Sequence, residues 1–175
     1  MRSLPRVLAA VGLAAYAFVR LRNPEHWDLL DDVNLAIHEA GHVFFQPLGD
    51  PLVVLGGSLF QVLVPVAFVA YFVVRREWFA ASVVTAWVAA SLGNVARYVG
   101  DARAQELLLL GGENTIHDWW YLLTEWDLIE QDGAIAAWIR FASAMAFVVA
   151  TLGAGWNARR AALTVPAPAT VRETD

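Results

Sequence analysis

The chain has 175 residues, of which 58% are hydrophobic and 17% charged, with a formal net charge of −5. So little charge is rare in a soluble domain and usual in a small polytopic membrane protein, and this length allows one such domain rather than two. An acidic balance without a basic cluster argues against nucleic-acid binding, and the absence of cysteine excludes disulfides, thiolate metal ligands and cysteine nucleophiles.

The first apolar stretch, Val7 to Val19, is bracketed by Arg6 and Arg20 and is short for a span, so its flanks must snorkel. It also reads as a cleavable signal peptide, with Arg2 and Arg6 before the apolar core and Ala15-Tyr16-Ala17 as a cleavage site. Arg20 and Arg22 directly after it fit an uncleaved anchor better. Next, Asp31-Asp32 predict the N-cap of a helix that Pro47, Gly49 and Pro51 end. On that helix Asp31, Asn34, His38 and His42 share one narrow polar arc, while Ile37, Ala40, Val43, Phe44 and Phe45 are apolar or small. Such a stripe must face protein or a wet cavity, because unpaired polar groups in lipid are costly.

Pro51 to Val74, Trp78 to Val99 and Ala134 to Trp156 are each long enough to cross a bilayer. Arg75-Arg76-Glu77 is a tight connection between the first two of these. Residues 164–175, with two prolines and few large apolar groups, predict a disordered tail after an integral membrane domain of residues 1–163. The expected fold is an all-α polytopic bundle of about four spanning helices with an interfacial or re-entrant helix around His38. Alternation puts Arg2, Arg6, Arg75, Arg76, Arg159, Arg160 and Arg172 on one side, which the positive-inside rule makes cytoplasmic, together with both termini. Segments 20–50 and 101–132 share the other, outer side and hold all of the 17 acidic residues except Glu77, Glu173 and Asp175. All 12 cationic residues are arginine, a usage that suggests a GC-rich bacterial genome and hence a bacterial inner membrane.

His38-Glu39-Ala40-Gly41-His42 carries the chemistry. Histidines at i and i+4 share a helix face and can reach one zinc ion, and Glu39, about 100° around the helix, can take a proton from a metal-activated water. Two imidazoles and a third protein ligand leave one zinc position open. Only two further histidines exist, His26 and His117, too few for a histidine-box di-iron site. The third ligand is expected from Asp101, Glu106, Glu113, His117 or Asp118; Asp101 reads alternatively as an interfacial cap paired with Arg97 or Arg103. Asn34 or Asp31 can orient an imidazole, although Asp31 reads more simply as solvating the helix start. Trp119, Trp120 and Trp126 read as aromatic anchors at the membrane boundary, and Glu125, Asp127 and Glu130 as a solvated face.

The pattern resembles the site-2-protease type of intramembrane zinc metalloproteases over about residues 30–105. Their HExxH helix, Gly-rich motif ending in an amide, and Asn-to-Asp motif correspond to His38 through His42, Gly57-Ser58-Leu59-Phe60-Gln61, and Asn94 through Asp101. Gln61 stands where the family usually has Asn, the third motif lacks the internal proline, and Ala102 follows Asp101 where glycine is usual. The resemblance implies zinc held by His38, His42 and Asp101, with Glu39 as general base; the departures keep His117 open as the alternative third ligand. Asn34, Gln61, Asn94 and Asp118 are expected around the metal ligands or near substrate. The expected activity is cleavage of a membrane protein or peptide in or near the lipid bilayer. The alternative is a non-catalytic membrane metal-binding or scaffold protein, in which His38, His42, Asp101 and His117 close a structural site.

Overall fold

The computed structural model describes residues 3–110 and 115–163. Glu113 and the C-terminal tail lie outside the described residues. The described chain is all-helical, with α1 (Ser3–Arg22), α2 (Leu29–Phe45), α3 (Leu52–Val74), α4 (Trp78–Gly100), α5 (Asp118–Glu125) and α6 (Asp132–Leu163). Single-turn 3-10 helices lie at Gln46–Leu48 and Ile129–Gln131.

Four helical segments, Ser3–Arg22, Leu52–Val74, Trp78–Gly100 and Ile129–Leu163, are long and apolar enough to cross a membrane. Their outer faces expose large apolar groups such as Leu8, Val11, Phe68, Tyr71, Val149 and Leu152, a surface suited to lipid. The molecule is an integral membrane protein built as a helical bundle. The first span is longer than its apolar stretch: helix runs on through Arg6 and Arg20, and 20 residues rise about 30 Å, the thickness of a hydrocarbon core.

Small side chains decide how the spans pack. Ala86, Ala89 and Ala90 of α4 meet Phe147 and Ala150 of α6 and Ala17 of α1 in one buried cluster. Where lipid is as apolar as the side chains, close backbone approach is what holds helices together, and alanine permits it. Ser143 adds an interhelical bond, its hydroxyl donating to the Ala89 carbonyl at 2.7 Å. The guanidinium of Arg6 lies 5.6 Å from the ring centre of Phe79, so α1 and α4 start at one end of the bundle. At the other end Arg103, just past α4, pairs with Asp132 at the start of α6. That second end carries α2, α5 and the loops between them.

Helix α2 starts earlier than Asp31-Asp32 suggested. Asp28 is its N-cap, accepting from the Leu30 amide, and the Asp31 side chain accepts from the Asp28 amide to complete a capping box. Asp31 therefore does not solvate the helix start. It is fully buried and takes two hydrogen bonds from Arg20, at 2.5 and 2.9 Å, which join the end of α1 to the start of α2. The helix ends at Phe45, where Pro47 and then Gly49, at φ 70°, prevent it from continuing. It lies along α3 at backbone contact distance. A Cβ on Gly41 would collide with the Gly56 carbonyl oxygen, and one on Gly56 would sit 2.8 Å from Phe45 Cβ.

Candidate metal centre

The buried face of α2 presents Asp31, Asn34, His38 and Gly41, so the polar stripe faces protein. Its histidines converge: His38 Nε2 and His42 Nε2 are 3.1 Å apart. The third member of the group is Asp118, the first residue of α5, whose Oδ2 lies 3.0 Å from His38 Nε2 and 3.2 Å from His42 Nε2. Among the described residues these three form the group whose donor atoms, all within 4.8 Å of one another, suit one cation.

Two observations test whether a zinc ion fits. Bond lengths of about 2.0–2.2 Å in tetrahedral geometry imply ligand-to-ligand edges of about 3.3 Å. The three edges here, 3.0, 3.1 and 3.2 Å, approach that triangle. The second observation is the tautomer. His42 Nδ1 lies 2.9 Å from the Val53 carbonyl oxygen, which can only accept, so Nδ1 carries a hydrogen and Nε2 is the nitrogen left to face the group. Gly57 of α3 completes the cradle, since a Cβ there would lie 2.6 Å from both Nε2 atoms.

The same contacts shift the protonation of these groups. The hydrogen bond that protonated His42 donates to the Asp118 carboxylate is the largest influence on the imidazole and, against the opposing effect of burial, pushes its pKa up to about 9. Burial alone would raise the Asp118 carboxyl, but hydrogen bonds from His38 and His42 hold it below the usual carboxylate range. With Nδ1 committed to Val53, Nε2 is the atom that takes either a proton or a metal.

Asp101 and His117 form a different cluster. The Asp101 carboxylate accepts from the Glu106 and Leu107 amides at 2.9 and 3.1 Å, and its Oδ2 is 3.3 Å from His117 Nε2. His117 is buried, and its Nδ1 accepts from the Trp120 amide as the N-cap of α5. Burial outweighs the neighbouring Asp101 carboxylate and lowers the His117 pKa. Asp101 thus caps a loop, as its alternative reading had it, but without Arg97 or Arg103: Arg97 pairs with Glu25 and Arg103 with Glu130 and Asp132. A closed site of His38, His42, Asp101 and His117 is not assembled. Between the two clusters stands Tyr98, whose hydroxyl accepts from the Asp118 amide at 3.1 Å. Its ring lies 5.7 Å from that of His38 and 4.2 Å from that of His117, centre to centre.

The remaining expected residues scatter around this centre. Asn34 accepts from Trp87 Nε1 at 2.7 Å and the Ser91 hydroxyl at 3.1 Å, and is not hydrogen-bonded to an imidazole. Gln61 donates to the Ser91 carbonyl at 3.4 Å, and Asn94 accepts from Arg20 at 3.1 Å. His26 and Glu106 are exposed. Trp119 is not a boundary anchor: it is buried, and its Nε1 donates to the Ser58 hydroxyl at 3.0 Å, docking α5 on α3. Trp120 and Trp126 keep exposed faces, and Glu125, Asp127 and Glu130 are exposed as expected.

A cavity of about 330 Å³ opens beside the three donors. Glu39, Gln61, Asn94, Arg97 and Tyr98 line it, and Leu107 through Leu110 supply an apolar wall. Sequence reasoning missed Arg97, Tyr98 and this leucine run. The four consecutive leucines before Gly111-Gly112, outside any span, were the available signal for the wall. In comparisons with known proteins no family model, no curated protein and no solved structure matches the chain.

Proposed function

We propose that the protein is a membrane-embedded zinc metallopeptidase in which His38, His42 and Asp118 hold the metal and Glu39 is the general base. The observation that carries this reading is the near-equilateral triangle of two imidazole nitrogens and one carboxylate oxygen, open toward a cavity that Glu39 also lines. Zinc, when bound, supplies Lewis-acid polarisation and lowers the pKa of a coordinated water toward about 7. Glu39 accepts the proton of the attacking water and returns it to the leaving amine. Exposed at the cavity surface, it has no hydrogen bond to another described residue that would have to break first. His42 is held in its metal-ready tautomer by Val53, and Asp118 is oriented through its own amide by Tyr98.

The likeness to site-2-protease-type enzymes supports peptide hydrolysis as the reaction, with Asp118 in the part that the resemblance gives to Asp101. The leucine wall and Trp27 suit an apolar peptide segment of a membrane-tethered substrate. Arg6, Arg75, Arg76, Arg159 and Arg160 support a cytoplasmic end opposite the site, so that the cavity opens at the outer face of a bacterial inner membrane.

The test is cleavage of a membrane-tethered reporter by the purified protein, with metal content measured on the same sample. Glu39→Gln is expected to abolish cleavage while leaving bound zinc at the wild-type level. Activity that survives Glu39→Gln refutes the mechanism.

A further inference from the structure

A second crevice, about 50 Å³ in volume, has a lining that includes three arginines from three spans: Arg20 of α1, Arg97 of α4 and Arg140 of α6. By the count of about 10–15 Å³ per enclosed water, it has room for a group the size of a phosphate. Arg97 lines both cavities, so the crevice adjoins the candidate metal centre.

The counter-charges are unevenly shared. Arg20 is met by Asp31 and Asp28, and Arg97 by Glu25 at 2.6 Å. The side chain of Arg140, an exposed residue, makes no hydrogen bond or ion pair with any described residue. It stands eight residues into α6, which places its Cα about 12 Å below the start of that helix, inside a spanning segment. An arginine at such a depth is costly unless its head snorkels to the interface or meets an anion. Arg20 and Arg97, within a turn of the ends of α1 and α4 on the same side, mark the level that its guanidinium reaches.

We propose that this three-arginine crevice binds a phosphate group, with Arg140 as its uncompensated ligand. Basic pockets between spanning helices on the cytoplasmic side of membranes recognise lipid head groups, and this crevice repeats that arrangement at the opposite end of the bundle. The surroundings favour that source over free phosphate: Leu21 of the lining is partly exposed, and Phe18 and Phe141, close in sequence to Arg20 and Arg140, expose apolar surface on α1 and α6 for acyl chains. Glu25, with 64% of its side chain exposed, is a counter-ion that a phosphate can displace from Arg97. The proposal does not depend on the metal reading.

The test is lipid retention by the purified full chain in detergent, read by native mass spectrometry. Phosphatidylglycerol and phosphatidylcholine are offered at equal concentration, and inorganic phosphate in a separate lipid-free arm. The wild type is expected to retain phosphatidylglycerol preferentially. Arg140→Gln is expected to weaken that retention about tenfold, the effect of losing one hydrogen bond to a charged group. Arg159→Gln, at the other end of α6, controls for surface charge and should change nothing. Arg140-dependent binding of inorganic phosphate without lipid preference supports the site and assigns it a soluble source. If neither phosphatidylglycerol nor phosphate binds in an Arg140-dependent way, the proposal is overturned.

Discussion

Gly57→Ala is the sharpest probe of the centre, because it adds one methyl group and no charge. Its Cβ would lie 2.6 Å from Nε2 of both His38 and His42 and 2.7 Å from His38 Cε1, whereas ordinary contact begins at 3.4 Å. Each nitrogen must therefore retreat by about 0.8 Å. A metal site tolerates about 0.2 Å. Neither side of the clash yields easily. His42 is tied to the Val53 carbonyl, and α3 cannot back away without disturbing the Gly41–Gly56 and Gly56–Phe45 contacts. Overpacking of this size costs about 1–3 kcal/mol, which a folded bundle survives. The expected outcome is a protein with wild-type helicity whose zinc affinity falls at least about tenfold, the size of a disturbed supporting shell. Chelator competition on the purified variant measures the affinity, and circular dichroism checks the helices. Gly56→Ala is the matched control, since its methyl meets Phe45 rather than an imidazole. Affinity in Gly57→Ala within about twofold of wild type would refute the arrangement, because the rings would then not face α3.

Asp118→Ala should lower bound zinc more than Asp101→Ala, because Asp118 touches both imidazoles while Asp101 acts only through His117 and the loop; metal analysis of both variants that ranks them the other way would restore Asp101 as the ligand. Arg20→Gln should destabilise the protein by about 3–5 kcal/mol in detergent unfolding, since it leaves the fully buried Asp31 carboxylate without its partner. A change below about 1 kcal/mol would mean that water reaches that pair. Ser58→Ala should cost about 1–3 kcal/mol by orphaning the buried Trp119 Nε1, and it should loosen Asp118 enough to lower zinc affinity; a thermal melt and a chelator titration read the two effects separately.

Much of the bundle was legible because the bilayer imposes a length that hydropathy reveals directly. Pro51 to Val74 and Trp78 to Val99 differ from α3 and α4 by one residue each, at the start of the first and the end of the second. The errors fall where side chains extend a helix beyond its apolar run. α1 reaches Arg22 because Arg20 finds Asp31, and α2 begins early because Asp28 and Asp31 cap it together. Neither pairing has a periodic signal. The two histidines were legible for the opposite reason, since i and i+4 spacing guarantees a shared face within one helix. No such rule connects residue 42 to residue 118. Asp118 was one of several acidic groups on the correct membrane face until the Trp119–Ser58 bond and the Tyr98 hydroxyl placed α5 against the site.

That placement explains why Asp101 and Asp118 take different parts despite both lying on the site side of the membrane. Asp101 ends α4 with a carboxylate already engaged by two loop amides and faced by His117, so its lone pairs are spent on shaping the chain that follows. Asp118 begins a helix, and its amide is satisfied by Tyr98 while its carboxylate turns to the imidazoles. The two aspartates are linked in series. Asp101 shapes the loop and faces His117, His117 caps α5 through the Trp120 amide, and the capped helix presents Asp118. A donor group whose third member comes from a short helix docked on the bundle, rather than from a spanning helix, can bring its parts together only after α3, α4 and α5 have packed. The centre is thus a product of tertiary folding as much as of the HExxH spacing.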